Sequence, residues 1–200
     1  LLPTAYLAPI SYYAILLHSL DCKIEKNEHF IKQSIRNRCE IYGANGKLRL
    51  TVPKQRKGSS KTLINNIKIC YRKQWQKEHW NSIVSAYNSS PFFEYYKDEL
   101  IPFFENKEVY LINLNKKLLD LTLQLLELNT KYKYTNKYKK EGNFTDLRKD
   151  KFKINKIKKY NQVFMEKHGF ISNLSILDLL FNLGPESANY LRNLNTISKI

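Results

Sequence analysis

The spacing of apolar residues changes near Trp75, and this change constrains the fold more than any other feature of the sequence. Over residues 30–53, before Trp75, the apolar positions recur every second residue, which is typical of β-strands with one buried face. After it they recur every three or four residues, as on one face of a helix. The pattern predicts an α+β fold for residues 1–200, a single domain with an N-terminal antiparallel sheet covered by a mainly helical second half.

The predicted sheet is built on a hairpin. The stretch "FIKQSIRNRCEIY", residues 30–42, alternates between apolar and polar positions, and "KLRLTVP", residues 47–53, does the same. Between them "GANG" contains the Asn-Gly pair that favours a tight turn. "LINNIKI", residues 63–69, is expected to add a third strand. The predicted inward positions of the hairpin are Ile31, Ile35, Cys39, Ile41, Leu48, Leu50 and Val52.

Helical spacing predicts one helix before the sheet and several after it. The first covers "PISYYAILLHSL", residues 9–20, with Leu20 on its apolar face. In the second half, Ser90 is expected to cap a helix that has Pro91 in its first turn. Further helices are predicted around His79, over residues 112–129, and from about Asn173 to Gly184.

The formal charge of +16 is concentrated in one segment. Residues 131–160 carry twelve Lys or Arg against three Asp or Glu, a net of nine of those sixteen charges. We interpret residues 131–159 as a basic, mobile excursion that is solvated, because its apolar content is low. Peripheral contact with an anionic membrane is an alternative. No nucleic-acid motif accompanies the charge, so we predict no specific nucleic-acid partner.

Cysteine usage and motifs exclude several classes of protein. The three cysteines form no CxxC pair, which favours a reducing compartment over a disulfide framework or a zinc site. The apolar N-terminal stretch is interrupted by prolines, and we expect a soluble, cytoplasmic protein. Because the sequence begins without Met, a few residues or a processed leader are expected upstream. P-loop, GxGxxG, GxSxG and HExxH motifs are absent, so no metal or cofactor is predicted.

A row of cations is predicted on the outer face of the hairpin. Alternation places Lys32, Arg36 and Arg38 on one side, and Arg49 joins them if the register allows. Arginine suits phosphate or carboxylate because its planar fork donates two parallel hydrogen bonds. The row therefore predicts an anion site, with a solvated sheet face paired to Glu40 as the alternative.

Two titratable residues are candidates for catalysis. His79 lies on the inward face of its predicted helix, where it is either a general base or an ordinary core histidine. Asp178 lies among apolar neighbours and needs a cation or a donor, for which the cation row, His79 or a helix N-terminus are available. Beside His79, Trp80 and Tyr87 are candidate substrate-binding residues, or ordinary core.

Four stretches together resemble the WbqC-like family of bacterial proteins in order and spacing, from about Leu2 to Leu191. They are "LPTAYLAPISYYA", "KQSIRNRCEIYGANGKLRLTVP", "WQKEHWNSIVSAYNSSPFFEYY" and "FISNLSILDLLFNLGPES". Ala8 departs from the pattern, since a second Pro is common there. The positions that match the motifs are Arg36, Arg38, Gly43, Pro53, His79, Trp80, Tyr87, Pro91 and Asp178.

The resemblance implies a role in surface-polysaccharide biosynthesis, because family members occur with O-antigen genes and a glycine-transferase role has been suggested for some. One hypothesis is a transferase that adds an aminoacyl or small acyl group to a sugar, with the cation row holding a phosphate and His79 as base. The alternative is a non-catalytic module that binds an anionic small molecule, such as a nucleotide-sugar or a sugar phosphate. If His79, Asp178 and the cation row converge on one cleft, the transferase hypothesis is favoured.

Overall fold

A computed structural model describes residues 1–55, 62–149 and 157–194. Together they form a single α+β domain, as predicted, with one core that strands and helices share. Over the described ranges the elements are β1 (Leu2–Pro3), α1 (Ile10–His18), β2 (Cys22–Glu25), β3 (Arg38–Gly43), β4 (Gly46–Thr51), a 3-10 helix (Ile64–Asn66), α2 (Trp75–Tyr87), α3 (Phe93–Glu105), α4 (Leu111–Leu125), β5 (Tyr132–Tyr134), α5 (Met165–His168), α6 (Ile176–Leu183) and α7 (Glu186–Arg192).

The predicted hairpin is confirmed. Strands β3 and β4 pair antiparallel from Arg38 opposite Thr51 to Gly43 opposite Gly46. Gly46 has a φ of 95°, a left-handed conformation that favours glycine and closes the turn. The pairing buries Cys39, Ile41 and Leu50 and leaves Glu40 and Arg49 on the opposite face, although Tyr42 on that face is also buried.

The segment before the hairpin is not a strand. Residues 32–37 form turns, with Gln33 at a φ of 57°, so the two-residue alternation does not apply there. Two predicted inward positions were wrong, since Ile31 is 40% exposed and Leu48 is 39% exposed. The predicted third strand is instead the short 3-10 helix followed by isolated bridges.

A second sheet, which the sequence pattern did not predict, has the order β1-β2-β5 with parallel pairing throughout. One of its two edge strands, β5, belongs to the basic segment. Thr135, Leu147 and Arg148 of that segment are also buried. The expectation of a loose excursion is therefore corrected for β5, Thr135, Leu147 and Arg148, which pack onto the domain, whereas residues 136–143 between them are exposed. Part of the predicted excursion, residues 150–156, lies outside the described residues.

The helices match the predicted positions within a few residues, except at the start of α3. Ser90 was expected to cap this helix with Pro91 in its first turn, but α3 begins at Phe93 after Phe92, and the Ser90 hydroxyl donates to Tyr87 O instead. On α2 the predicted inward residues Trp75, Ile83 and Ala86 are buried. Helix α6 begins after Ser175, whose hydroxyl accepts a hydrogen bond from Leu177 N, and the helix ends before Gly184. Leu20 is fully exposed, contrary to the prediction, because α1 ends at His18. No helix in the described ranges is both long enough and apolar enough to cross a membrane.

Candidate functional site: an arginine cleft

A cleft of about 820 Å³ opens beside the hairpin. The loop before α1, the turns before β3 and the loop before α6 all contribute to it. Backbone hydrogen bonds join these distant parts, from Tyr6 N to Ile35 O at 2.9 Å and from Ser175 N to Glu40 O at 2.8 Å. Among the described residues, the cations that line the cleft are Arg36, Arg38, Arg49, Arg148 and Lys149.

Strained backbone surrounds the cleft. Leu7, Gln33 and Asn173 line it and have φ values of 42°, 57° and 57°. In the part of the chain that the structure describes, Glu127 is the fourth non-glycine residue with positive φ, and it does not line the cleft. Such conformations are uncommon for residues with a Cβ and tend to cluster at functional sites. The strain therefore supports this cleft as the candidate site.

Arg36 is a buried structural cation, which corrects its predicted place in an exposed row. Its side chain is 2% exposed. The Nε and Nη2 atoms each donate to a Glu28 carboxylate oxygen at 2.7 Å, and Nη2 also donates to Arg148 O at 3.2 Å. Burial raises the pKa of Glu28, although the Arg36 hydrogen bonds oppose that shift. The guanidinium that was expected to meet a ligand is thus occupied by a carboxylate.

Arg49 is paired across the hairpin. The register sets it opposite Glu40, and its Nη2 donates to Glu40 Oε1 at 2.9 Å. Lys47 Nζ lies 3.0 Å from the other Glu40 oxygen. Burial alone would raise the pKa of Glu40, but hydrogen bonds from Arg49 and Lys47 lower it. The alternative of a sheet face paired to Glu40 therefore describes Arg49 well.

Arg148 was missed by sequence reasoning because it lies far along the chain in the basic segment. Its Nε and Nη2 donate to the Asp146 carboxylate at 2.8 and 2.7 Å. Its Nη1 lies 3.6 Å from Glu25 Oε2. The guanidinium also lies 4.9 Å from the centre of the Tyr138 ring. This arginine is thus held by carboxylates, as Arg36 and Arg49 are.

Arg38 differs from these three arginines in having no carboxylate partner, although Arg148 Nη1 is also buried without a hydrogen-bond partner. Arg38 is half-buried and lines the cleft, and its Nε is buried without a hydrogen-bond partner. Neither Arg38 nor the exposed Lys149 forms an ion pair with any acid in residues 1–55, 62–149 and 157–194. Lys32 lies in an exposed turn and does not line the cleft. Positive charge without a carboxylate partner is therefore left on Arg38 and Lys149.

His79 lies at the edge of the core and is 6% exposed. Thr51 N donates to its Nε2 at 3.1 Å, so the neutral ring carries its proton on Nδ1, which lies 2.9 Å from Tyr6 Oη. Burial lowers the pKa of His79 to about 4. The ring packs edge-on against Trp75, with centroids 5.0 Å apart. His79 does not line the cleft, and both of its nitrogens are engaged.

Asp178 is fully buried in α6 and finds neutral donors instead of a cation. Tyr87 Oη donates to Oδ1 at 3.0 Å, and Gln162 Nε2 donates to Oδ2 at 2.7 Å. Tyr160 Oη also donates to Oδ2. Burial raises the pKa of Asp178, and these donors oppose the shift. The network joins α2, α6 and the chain around residue 160, and it does not reach the cleft.

The predicted aromatic residues also lie elsewhere. Trp80 packs against Phe93 and Phe104, with ring centroids 6.1 and 5.4 Å apart. Tyr87 is buried and accepts a hydrogen bond from Tyr42 N at 3.1 Å. Neither lines the cleft. Within the described ranges, no group of His, Cys, Asp and Glu side chains could hold a metal ion.

The profile of the WbqC-like protein family matches residues 4–153 and 149–190. The chain belongs to this family. The matched residues include every part of the chain that lines the cleft. This WbqC-like protein is also 25% identical over 215 residues to the uncharacterized protein Rv1507c of Mycobacterium tuberculosis, covering 90% of this chain and 91% of that one. No solved structure matches the chain.

One sequence signal could have found more of the site in this WbqC-like protein. Arg148 is the only arginine among eleven lysines in residues 131–160, so its geometry rather than its charge sets it apart. Glu28 has no such signal, because its pairing with Arg36 depends on turns that the apolar pattern did not reveal. The strained positions were likewise not readable, since only one of the three is Asn, which tolerates positive φ.

Proposed function

We propose that this WbqC-like protein binds an anionic small molecule, such as a sugar phosphate or a nucleotide-sugar, in the arginine cleft. The observation that carries the proposal is Arg38, which lines the cleft with a buried Nε that has no partner among the described residues. A buried donor without a partner costs about 1–3 kcal/mol, and a bound anion would remove that cost. Charge-assisted hydrogen bonds from arginine are also among the stronger ones.

The other cleft residues suit a ligand that has both polar and apolar surface. Gln33 and Ser34 provide polar groups, while Leu7, Ile31 and Ile35 provide aliphatic surface. A sugar ring presents hydroxyl groups and C–H groups together, so a sugar that carries a charged group fits this lining. Ligand pockets commonly combine apolar walls with a few polar groups in this way.

The same proposal includes a role in surface-polysaccharide biosynthesis, because WbqC-like members occur with O-antigen genes, and a cytoplasmic location, because the three cysteines form no CxxC pair. The geometry favours binding over the transferase hypothesis. His79 and Asp178 lie outside the cleft lining, and their polar atoms already have partners. Their catalytic roles remain predictions without support from the cleft.

Thermal-shift and calorimetric titrations test the proposal. Glucose 1-phosphate and UDP-glucose serve as charged probes, and glucose is the uncharged control. At about 100 times its dissociation constant a true ligand stabilises the native state by roughly 2.7 kcal/mol, which raises Tm by about 5–10 °C for a domain of this size. We expect the charged probes to shift Tm and glucose not to.

Arg38→Gln should remove most of that shift, because it removes the unpaired guanidinium from the cleft. Arg192→Gln is the matched control, since Arg192 is exposed at the end of α7 and should not affect binding. If Arg38→Gln keeps the full shift, the anion binds elsewhere. If no charged probe binds the wild-type protein, the proposed function is wrong.

A further inference from the structure

We propose that Lys149 and Arg38 together hold one phosphate monoester group in the cleft, so that the basic segment completes the anion site. This rests on the proposed function, that the cleft binds an anion. Three of the five cations lining the cleft in the described chain are neutralised by carboxylates. Arg38 and Lys149 have no such partner there, and they come from parts of the chain more than 100 residues apart.

The backbone beside Lys149 is fixed even though its side chain is exposed. Arg148 O accepts from Arg36 Nη2 at 3.2 Å, and Arg148 N donates to Asp146 Oδ1 at 3.0 Å. The Arg148 side chain is held by two bonds to the same Asp146 carboxylate. These contacts place the start of the lysine side chain at the cleft, while its flexible stem leaves the ammonium free to reach a ligand.

The first amides of α6, which also borders the cleft, are not available to an anion. Ile176 N donates to Ala8 O at 2.9 Å, and Leu177 N donates to Ser175 Oγ at 3.4 Å. Asp178 N donates to Ser175 O at 2.9 Å. Helix α6 therefore offers a ligand no free amide in its first turn, and the lining cations without a carboxylate partner are Arg38 and Lys149.

The pair of cations favours a phosphate monoester over a carboxylate or a diphosphate ester. A guanidinium fork matches two oxygens, and an ammonium is a point charge that suits a third. A phosphate monoester offers three terminal oxygens and about two negative charges above its second pKa of about 6. A carboxylate offers two oxygens and one charge. We therefore assign the ligand to the class of sugar phosphates.

Isothermal titration with glucose 1-phosphate, glucuronate and UDP-glucose tests this assignment at constant ionic strength. Lys149→Gln should weaken glucose 1-phosphate binding about threefold to fivefold, as expected for an exposed charge. Arg38→Gln should weaken it about 10-fold to 100-fold, because its donor is partly buried. Lys137→Gln, in the same basic segment and outside the cleft lining, is the control and should bind like the wild type.

Two further readouts separate a direct contact from a general charge effect. In the double variant Arg38→Gln, Lys149→Gln the fold loss of affinity should be smaller than the product of the two single fold losses, because both side chains contact one phosphate group. The difference between wild type and Lys149→Gln should also shrink between pH 7.5 and pH 5, as the ligand loses its second charge. The affinity for glucuronate should be the same in the wild type and in Lys149→Gln.

The outcomes distinguish this inference from the proposed function. If Arg38→Gln weakens binding but Lys149→Gln does not, the assignment of Lys149 as the second cation is wrong, and the proposal that the cleft binds an anion stands. If UDP-glucose or glucuronate binds more tightly than glucose 1-phosphate, the phosphate monoester assignment is wrong. If Lys137→Gln weakens binding as much as Lys149→Gln, the effect is one of net charge. If the wild type binds none of the three, both the function and this inference fail.

Discussion

Replacing Arg36 by methionine should strongly destabilise the protein without any ligand present. The substitution keeps a long side chain but leaves the buried Glu28 carboxylate without its two hydrogen bonds of 2.7 Å. Breaking a buried ion pair by removing one partner costs about 3–5 kcal/mol. For a domain of this size each kcal/mol lowers Tm by about 2–4 °C, so we expect a loss of roughly 6–20 °C.

Removing both charges should cost much less than the two single changes together. In the double variant Arg36→Met, Glu28→Leu no buried charge is left alone, and the main remaining loss is the donor to the Arg148 carbonyl oxygen. That loss is about 1–3 kcal/mol. Urea unfolding at pH 7, followed by circular dichroism and extrapolated to water, gives the free energies of unfolding.

The control is Arg192→Met, an exposed arginine at the end of α7, which should stay within about 0.5 kcal/mol of the wild type. Strictly additive losses for the Arg36 and Glu28 changes would refute the reasoning, because paired buried charges must show coupling. An Arg36→Met protein as stable as the wild type would return Arg36 to the solvent-facing row that alternation predicted.

Three further predictions concern the core. Burial lowers the pKa of His79 to about 4, so the folded state binds a proton on this ring less tightly than the unfolded state does. The shift contributes about 3 kcal/mol to the free energy of unfolding above about pH 6.5, and this contribution is lost as the pH falls through 4. The gap in urea stability between wild type and His79→Gln should therefore narrow from pH 7 to pH 4, and a constant gap would contradict this. Trp75→Ala should cost about 3–5 kcal/mol by the same assay as a large-to-small core change, and a cost under about 1 kcal/mol would show that the ring is not core. A Cβ on Gly184, at a φ of 51°, would lie 2.5 Å from the Phe92 ring, whereas one on Gly46 would contact nothing within 4 Å. The Tm of Gly184→Ala should therefore lie well below that of Gly46→Ala, where the only cost is backbone strain of about 1–2 kcal/mol. Equal melting points for the two variants would be evidence against the clash with Phe92.

The helical half was predictable because its pattern is long. Helix α2 spans 13 residues, and over that length Trp75, Ile83 and Ala86 define one face without ambiguity. The sheet β1-β2-β5 was not predictable, since β1 has 2 residues, β2 has 4 and β5 has 3. Strands that short contain too few positions to show alternation.

The site was predictable where its residues lie in regular structure. Arg38 and Arg49 belong to the hairpin, so alternation and register placed them on one face. Arg36 lies two residues before Arg38 but in a turn, and the same rule therefore gave it the wrong environment. The contact of Arg36 with Arg148 O spans 112 residues, and no local pattern reports a contact of that range.

The parallel pairing of β2 with β5 also determines how the chain is completed during synthesis. β2 is the central strand of its sheet, yet its partner strand on one edge comes about 110 residues later, with Cys22 opposite Tyr132. At translation rates of about 5–20 residues per second, that edge stays open for roughly 5–20 s on the ribosome. An open strand edge is a template for pairing with other chains. A chain released before Tyr134 would therefore expose this edge of β2, whereas the longer chain covers it with β5.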